Sequence, residues 1–308
     1  MDLMLTFAPA APAQLINYKQ PLVFMGSCFA DNIAELAQQH GLPTLAQPFG
    51  VVFNPISIAQ QLQRIIRGTL YTESDLHLHQ ELWHTWEHHT QFSNTSKEAF
   101  LQHINQQVTQ AHQFIHQPNV VVCLTLGSAH MYALAHQPQT IVANCHKYPQ
   151  QHFTKSMLAV EQVVQALRQV MQQLPHAKFI LTVSPVRHIK DGVVENNLSK
   201  AILLQAVHQL TQTEQAYYFP AYELVIDQLR DYRFYDTDMV HPNAQAIQFV
   251  WQSFIKTCFD SQAQAYVNDM HQLYAMQNHR VMHTGTQAHQ KFVQALAQKQ
   301  ADITAKYF

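Results

Sequence analysis

Charge is scarce in this chain: only 12% of its 308 residues are Asp, Glu, Lys or Arg, and 18 basic against 20 acidic side chains leave a formal net charge of -2. Without a basic excess there is no broad attraction for phosphate backbones or anionic bilayers, so neither nucleic acid nor membrane is expected as a partner. Cysteine is sparse too. Cys28, Cys123, Cys145 and Cys258 lie far apart with no C-x-x-C pair, which argues against a zinc ribbon or a disulfide scaffold and points to reduced thiols in a cytoplasm. No apolar run reaches the roughly 18 to 20 residues that span a bilayer. The apolar stretch at residues 3–13 has no basic flank behind Met1-Asp2 and is broken by Pro9 and Pro12, so no signal peptide is read. A phosphate loop, a dinucleotide fingerprint and a tandem zinc signature are all missing, and no cofactor is expected.

What is present is an apolar content of 47%, enough for one large core or two smaller ones without staples. Residues 22–25 form a short apolar run behind Pro21, and Phe29, Ile33, Leu36 and Ala37 then recur at helical spacing, which predicts strand, tight turn, helix. Residues 120–126 form a second continuous run closed by Gly127-Ser128. A helical stripe of Val160, Val163, Val164, Leu167, Val170, Met171 and Leu174 ends at Pro175, and residues 179–183 read as a further strand stopped by Ser184-Pro185. Helices are also expected at 198–210 and around Ile247, Val250, Trp251 and Phe254, with a strand at 217–219 between them. Strands separated by helices require crossovers, so the class is α/β: a mostly parallel sheet covered on both faces, with its site beyond the carboxyl strand ends. The polar, aromatic, histidine-rich stretch from about 70 to 117 is expected as a helical insertion or lid. Residues 1–258 read as the catalytic domain, and the Gln-rich residues 259–308 as a helical extension packing on the core or on a second copy in a homodimer.

Twenty-one histidines are present, with a cluster at His77, His79, His84, His88 and His89. None has the paired spacing of H-E-x-x-H, and Gln is overused alongside, so a polar surface is the plainer reading and no metal site is assigned.

Two short segments carry chemistry. Met25-Gly26-Ser27-Cys28-Phe29-Ala30 places a serine at the end of a strand and the start of a helix, where free backbone NH groups and the helix dipole favour a developing anion. Asp238-Met239-Val240-His241-Pro242-Asn243 places a carboxylate three residues before an imidazole that it can hold by one ring nitrogen, leaving the other for a serine. Separately, each has a bland explanation: a glycine turn, and an aspartate capping the helix that starts near Pro242. Cys28 is a rival nucleophile at the same helix terminus, although the residue after the turn glycine is the better exposed. Asp236 rivals Asp238, whose three-residue spacing suits the imidazole better. Asp31 and Glu35 serve the helix electrostatically.

The pentapeptide Gly26-Ser27-Cys28-Phe29-Ala30, with Pro48-Phe49-Gly50-Val51-Val52-Phe53-Asn54-Pro55, Thr125-Leu126-Gly127-Ser128, Asn144-Cys145-His146-Lys147, Thr182-Val183-Ser184-Pro185-Val186, Tyr218-Phe219-Pro220-Ala221-Tyr222-Glu223 and the Asp238 loop, resembles the GSCFA family, itself similar to SGNH (GDSL-like) hydrolases. The resemblance runs from about residue 20 to 255. It implies a three-layer, flavodoxin-like α/β/α fold with Ser27 as nucleophile, His241 as general base and then acid, and Asp238 orienting His241. It also implies an oxyanion hole from the Ser27 NH, a glycine after the second strand, for which Gly50 is the candidate, and an asparagine after the third. The loop after Leu126 has no asparagine, leaving Asn54 and Asn144 as candidates. Gly127, His146 and His89 are expected to contact substrate, and His130, Lys147, His188, Trp83 and Trp86 could also line the pocket.

The expected activity is thus that of a serine esterase or acyltransferase acting on a small O-acyl group, such as acetyl on a carbohydrate or polar metabolite. Two other classes stay open: a catalytically silent ligand-binding or scaffold protein of the same fold, and a histidine-based metalloenzyme.

Overall fold

A computed structural model of the chain describes residues 5–213, 215–279 and 286–308. The apolar runs become parallel strands β1 (Leu22–Gly26), β2 (Thr44–Ala46), β3 (Val121–Leu126), β4 (Lys178–Val183) and β5 (Ala216–Tyr218), ordered 2-1-3-4-5 across one sheet. That order reverses direction between β1 and β3, where the carboxyl ends leave a crevice.

Alternation along the strands divides the core in two. Leu22 and Phe24 of β1 and Val121 and Cys123 of β3 point to one face, meeting α1 (Cys28–Gln39) and α6 (Ala244–Cys258). Val23, Met25, Val122 and Leu124 point to the other, meeting α2 (Pro55–Arg67), α3 (Lys97–Ile115), α4 (Val160–Gln173) and α5 (Val193–Leu210). A strand buried on both faces has no polar position, which is why these segments read as continuous apolar runs.

The helix starts follow local chemistry. Asn54 caps α2, its Oδ1 accepting from the Ser57 NH at 2.8 Å, with Pro55 at the first helical position. Gly68 closes that helix in the left-handed conformation at φ 63°.

The segment expected as a helical insertion divides into two unlike parts. Its helix, α3, is a crossover whose Phe100, Ile104, Val108, Ala111 and Ile115 lie in the central core; it is no lid. Before it, residues 77–84 form a small antiparallel hairpin. The apolar residues of α3 are spaced among Gln and His, so the polar composition hid a stripe that only a central sheet could cover. A three-stranded antiparallel sheet, built from His130–Leu134, Gln137–Val142 and Phe153–Met157, also branches off after β3.

The extension packs on the core. Within it, α7 (Ser261–Gln277) and α8 (Gln287–Tyr307) share the buried cluster of Phe24, Phe29 and Trp251 through Tyr266, Val267, Leu273, Ile303 and Tyr307. Tyr18 stacks on Tyr266 with ring centroids 4.6 Å apart, and Asp269 gathers Lys299, Lys306 and the Tyr307 hydroxyl. Among the described residues no helix is long and apolar enough to cross a membrane.

The histidines of the hairpin stack on aromatic rings. His77 lies on Trp86 at 3.8 Å, His79 on Tyr148 at 3.7 Å and His84 against His146 at 4.2 Å. Burial, followed by the other histidines, pushes His77 down to about 3, while burial pushes His146 down to about 4. Both are therefore neutral in the folded protein at pH 5, where an unfolded histidine is charged. Their contribution is fully present above the ordinary histidine pKa and is lost as pH falls from there toward 4 and 3. Melting temperature should drop between pH 7 and 4, and His77→Phe, which retains the stack on Trp86, should flatten that drop; equal slopes in both proteins would refute this origin.

Candidate active site

The turn after β1 is fixed by contact. Gly26 has φ 134°, and a β-carbon built there would lie 2.1 Å from the Thr125 carbonyl oxygen on β3, so no other residue fits without moving the backbone. Ser27 follows as N-cap of α1, with its NH donating to the Thr125 carbonyl at 3.0 Å. The Ser27 Oγ is buried and has no hydrogen-bond partner. In a native protein a buried, unpartnered hydroxyl calls for an explanation, and a reactive role is one.

Gln47 grips this turn from the side. Its Oε1 accepts from the Gly26 NH at 3.0 Å, while its Nε2 donates to the carbonyls of Gly26 at 2.9 Å and Ser27 at 3.2 Å. The side chain thus continues the β2 ladder where the β2 backbone turns away, with Gln47 itself at φ 43°. No residue-type signal marked it, since glutamine is abundant throughout; only its place beside the Pro48-Phe49-Gly50 motif could have done so.

The second segment forms a compact turn. Asp238 Oδ2 and His241 Nδ1 are 2.6 Å apart, and Oδ1 accepts from the NH groups of Val240 at 2.8 Å and His241 at 3.0 Å. The backbone NH of His241, then its ring, then the Val240 NH hold the Asp238 carboxyl down to about 2. The helix cap is Asn243, whose Oδ1 accepts from the NH groups of Gln245 and Ala246. Capping therefore does not account for Asp238, while Asp236 joins the turn through its backbone, its NH donating to the His241 carbonyl and its carbonyl accepting from the Met239 NH. Arg187, in the loop after β4, clasps the turn: its NH donates to Val240 O at 3.1 Å and Nη1 to Met239 O at 3.2 Å, with its guanidinium 4.1 Å from the Tyr235 ring centre. Arg187 was not read from the sequence.

Both segments stand at the carboxyl edge of the sheet, but no hydrogen bond joins Ser27 to His241, whose side chain is 46% exposed. The residues expected to bind the anion make other hydrogen bonds in this state. Gly50, at φ 79°, donates its NH to the Gln47 carbonyl at 2.7 Å. Asn54 uses both amide ends on Ser57. Asn144 accepts from the His146 NH and the Thr90 hydroxyl.

The residues expected at substrate also have structural ties. Gly127 and Ser128 both donate to the Phe53 carbonyl at 2.9 Å. The backbone of His89 docks on Phe49, and its Cβ would lie 2.4 Å from any side chain at Gly50. His146 donates from Nε2 to Thr85 O at 2.8 Å, and its Nδ1 lies 3.2 Å from the Thr90 hydroxyl. Trp86 is taken up by its stack with His77, and His188 pairs with Asp191.

Burial raises the Cys28 thiol above its ordinary value, with Asp31 adding to the rise, so it stays a thiol beside the serine. Among the described residues no group of three or more His, Cys, Asp or Glu side chains is disposed to hold a metal ion.

One buried group in this corner was not anticipated. Lys200 of α5 is 2% exposed, and its Nζ donates to Gly127 O and Ser184 O, each at 2.7 Å. It closes the floor of a cavity of about 730 Å³ beyond the ends of β4 and β5, bounded by Val186, Arg187, Asn196, Ile226 and Met239. A cavity of about 260 Å³ lies at the opposite, amino edge, beside Lys178 and Ala216, remote from these groups.

The fold and edge define a doubly wound α/β/α protein with a serine turn at its switch point and a bonded Asp-His pair on the loop before α6. The GSCFA family model matches residues 21–254, and the chain belongs to the GSCFA family. No curated protein matches it.

Replacing Gln47 by alanine should loosen the serine turn by leaving the Gly26 NH without its partner and taking away the second donor to the Gly26 and Ser27 carbonyls, which keep the Val52 and Ala30 NH groups, costing about 1 to 3 kcal/mol. Gln47→Glu, which sets a buried carboxylate oxygen against the Gly26 and Ser27 carbonyls, should cost at least as much; denaturant unfolding would show both, and a cost below about 1 kcal/mol for alanine would contradict this role.

Proposed function

We propose that this protein is an SGNH-like serine esterase or acyltransferase that removes or transfers a small O-acyl group, such as acetyl on a carbohydrate or polar metabolite. The observation that carries this reading is the Asp238–His241 bond, which occupies Nδ1 and leaves Nε2 for a hydroxyl. The orphaned Ser27 Oγ on the same sheet edge supplies that hydroxyl. Ligand-free catalytic contacts are often long and tighten only when substrate is bound, so the reaction calls for His241 and Ser27 to meet as substrate enters.

In the first step Ser27 Oγ bonds to the acyl carbon, its proton passes to His241 Nε2, and the carbonyl π pair moves onto oxygen. The pair then returns, the ester C–O bond breaks, and His241 protonates the departing alkoxide. Water or an acceptor hydroxyl resolves the acyl-enzyme by the same route. Asp238 holds the imidazole tautomer and stabilises the imidazolium. The four cysteines are unpaired thiols, which supports a reducing, cytoplasmic setting.

The separation of Ser27 from His241 favours a second reading, a ligand-binding protein that retains the fold without turnover. One experiment decides between them. Wild-type protein should be labelled by a fluorophosphonate and hydrolyse p-nitrophenyl acetate, and Ser27→Ala should lose both. His241→Ala should lose as much turnover as Ser27→Ala, and Asp238→Asn roughly 10²- to 10⁴-fold. Unlabelled wild-type protein, or full turnover by Ser27→Ala, would remove the hydrolase reading.

A further inference from the structure

Lys200 is a fully buried ammonium with no carboxylate partner. Among the described residues it bonds two neutral carbonyls and no acid, and it takes part in no ion pair. Burying an unpaired charge costs several kcal/mol, so a cation held this way is a candidate for work on a negative charge that arrives from outside.

Its position says where that charge would arise. Gly127 O, one of its two acceptors, lies two residues beyond Thr125, whose carbonyl receives the Ser27 NH. Lys200 lies within electrostatic range of Cys28, the residue next to the nucleophile. It also lines the cavity that Met239 of the Asp238–His241 turn borders. An ammonium has three N–H donors and two are engaged, leaving one. Meanwhile the backbone donors nearest the nucleophile, those of Ser27 and Gly50, already serve the Thr125 and Gln47 carbonyls.

We propose that Lys200 is a catalytic residue of the Ser27 site, whose ammonium stabilises the oxyanion formed on the substrate carbonyl during acyl transfer. The proposal rests on the Ser27 reading above. When Ser27 Oγ adds to the carbonyl carbon, the π pair moves to oxygen and the serine proton goes to His241. Lys200 keeps its own three protons, donating a hydrogen bond to that oxygen until the pair returns and the leaving alkoxide departs with the proton from His241. It neither takes nor gives a proton.

A pH signature follows. Burial pushes the Lys200 ammonium down to about 7, so the charge is present below that value and is lost as pH rises through it. The groups facing it are Cys28 from α1, Arg187 and the His188–Asp191 pair from the loop after β4, with Lys155 bonded to Asp191, and Tyr222 beyond β5. The bond to Lys155 holds the Asp191 carboxyl below its ordinary value, so it is an anion among these groups.

The test is the rate of p-nitrophenyl acetate hydrolysis, corrected for background, from pH 5.5 to 9 in wild type, Lys200→Met and Lys200→Arg, with melting curves for each. Wild-type kcat should fall on the alkaline side with a midpoint near 7. Lys200→Met should lose kcat by roughly 10²- to 10³-fold with KM changed little. Lys200→Arg should retain more activity and lack the alkaline fall, because a guanidinium stays charged. A wild-type profile flat from pH 6 to 9 overturns the proposal, as does a folded Lys200→Met variant with kcat within about threefold of wild type. If either variant fails to fold, the wild-type profile and the other variant still decide. Turnover surviving in Ser27→Ala marks the failure of the Ser27 reading itself, a separate result from any Lys200 outcome.

Discussion

The close approach of Gly26 to the Thr125 carbonyl is the constraint on which the rest of the carboxyl edge depends. With no side chain in the way, β1 can deliver Ser27 straight onto the end of β3, and the Ser27 NH to Thr125 O bond extends the ladder one residue past the strand. Gln47 then seals the open side of the turn. The serine hydroxyl is left buried and without a partner in a region where almost every neighbouring backbone group is satisfied, which concentrates the polar imbalance of the site on one oxygen.

The opposite side of the edge is built differently. The Asp238–His241 turn is exposed and is held by local hydrogen bonds, by Asn243 at the start of α6 and by Arg187 reaching across from the loop after β4. A buried serine and an exposed imidazole tethered to its aspartate make two unlike halves of the edge. The cavity beyond the β4 and β5 ends, lined by Lys200, Arg187 and Met239, adjoins the Asp238–His241 turn.

Much of this was legible in the chain. Continuous apolar runs identified β1, β3 and β4 because a parallel sheet covered on both faces leaves no polar position, the aromatic residues 217–219 read as β5, and the period of α4 stood out because one face of that helix is buried. The Ser27 turn and the Asp-x-x-His loop were legible because each is a local pattern. β2 was not, since Thr44–Ala46 is only half-buried, nor was the antiparallel sheet of residues 130–157, which alternates too weakly to separate from loop. The region of α3 was read as helical, but its polar composition hid its place in the core, and its burial comes from packing against the sheet.

The sequence by itself determined the α/β class, the position of the serine at a strand-to-helix turn and the pairing of an aspartate with a histidine three residues on, because each of these depends on neighbours along the chain. Which groups converge at the edge was decided only in three dimensions. Gln47, Arg187 and Lys200 are ordinary residues in the sequence. They gain their roles from carbonyls and NH groups that the sheet brings to them from other segments, while the Gly50 NH and the amide oxygens of Asn54 and Asn144 are taken up by nearby backbone groups. Contacts between distant segments carry no local pattern, so only the tertiary structure could assign them.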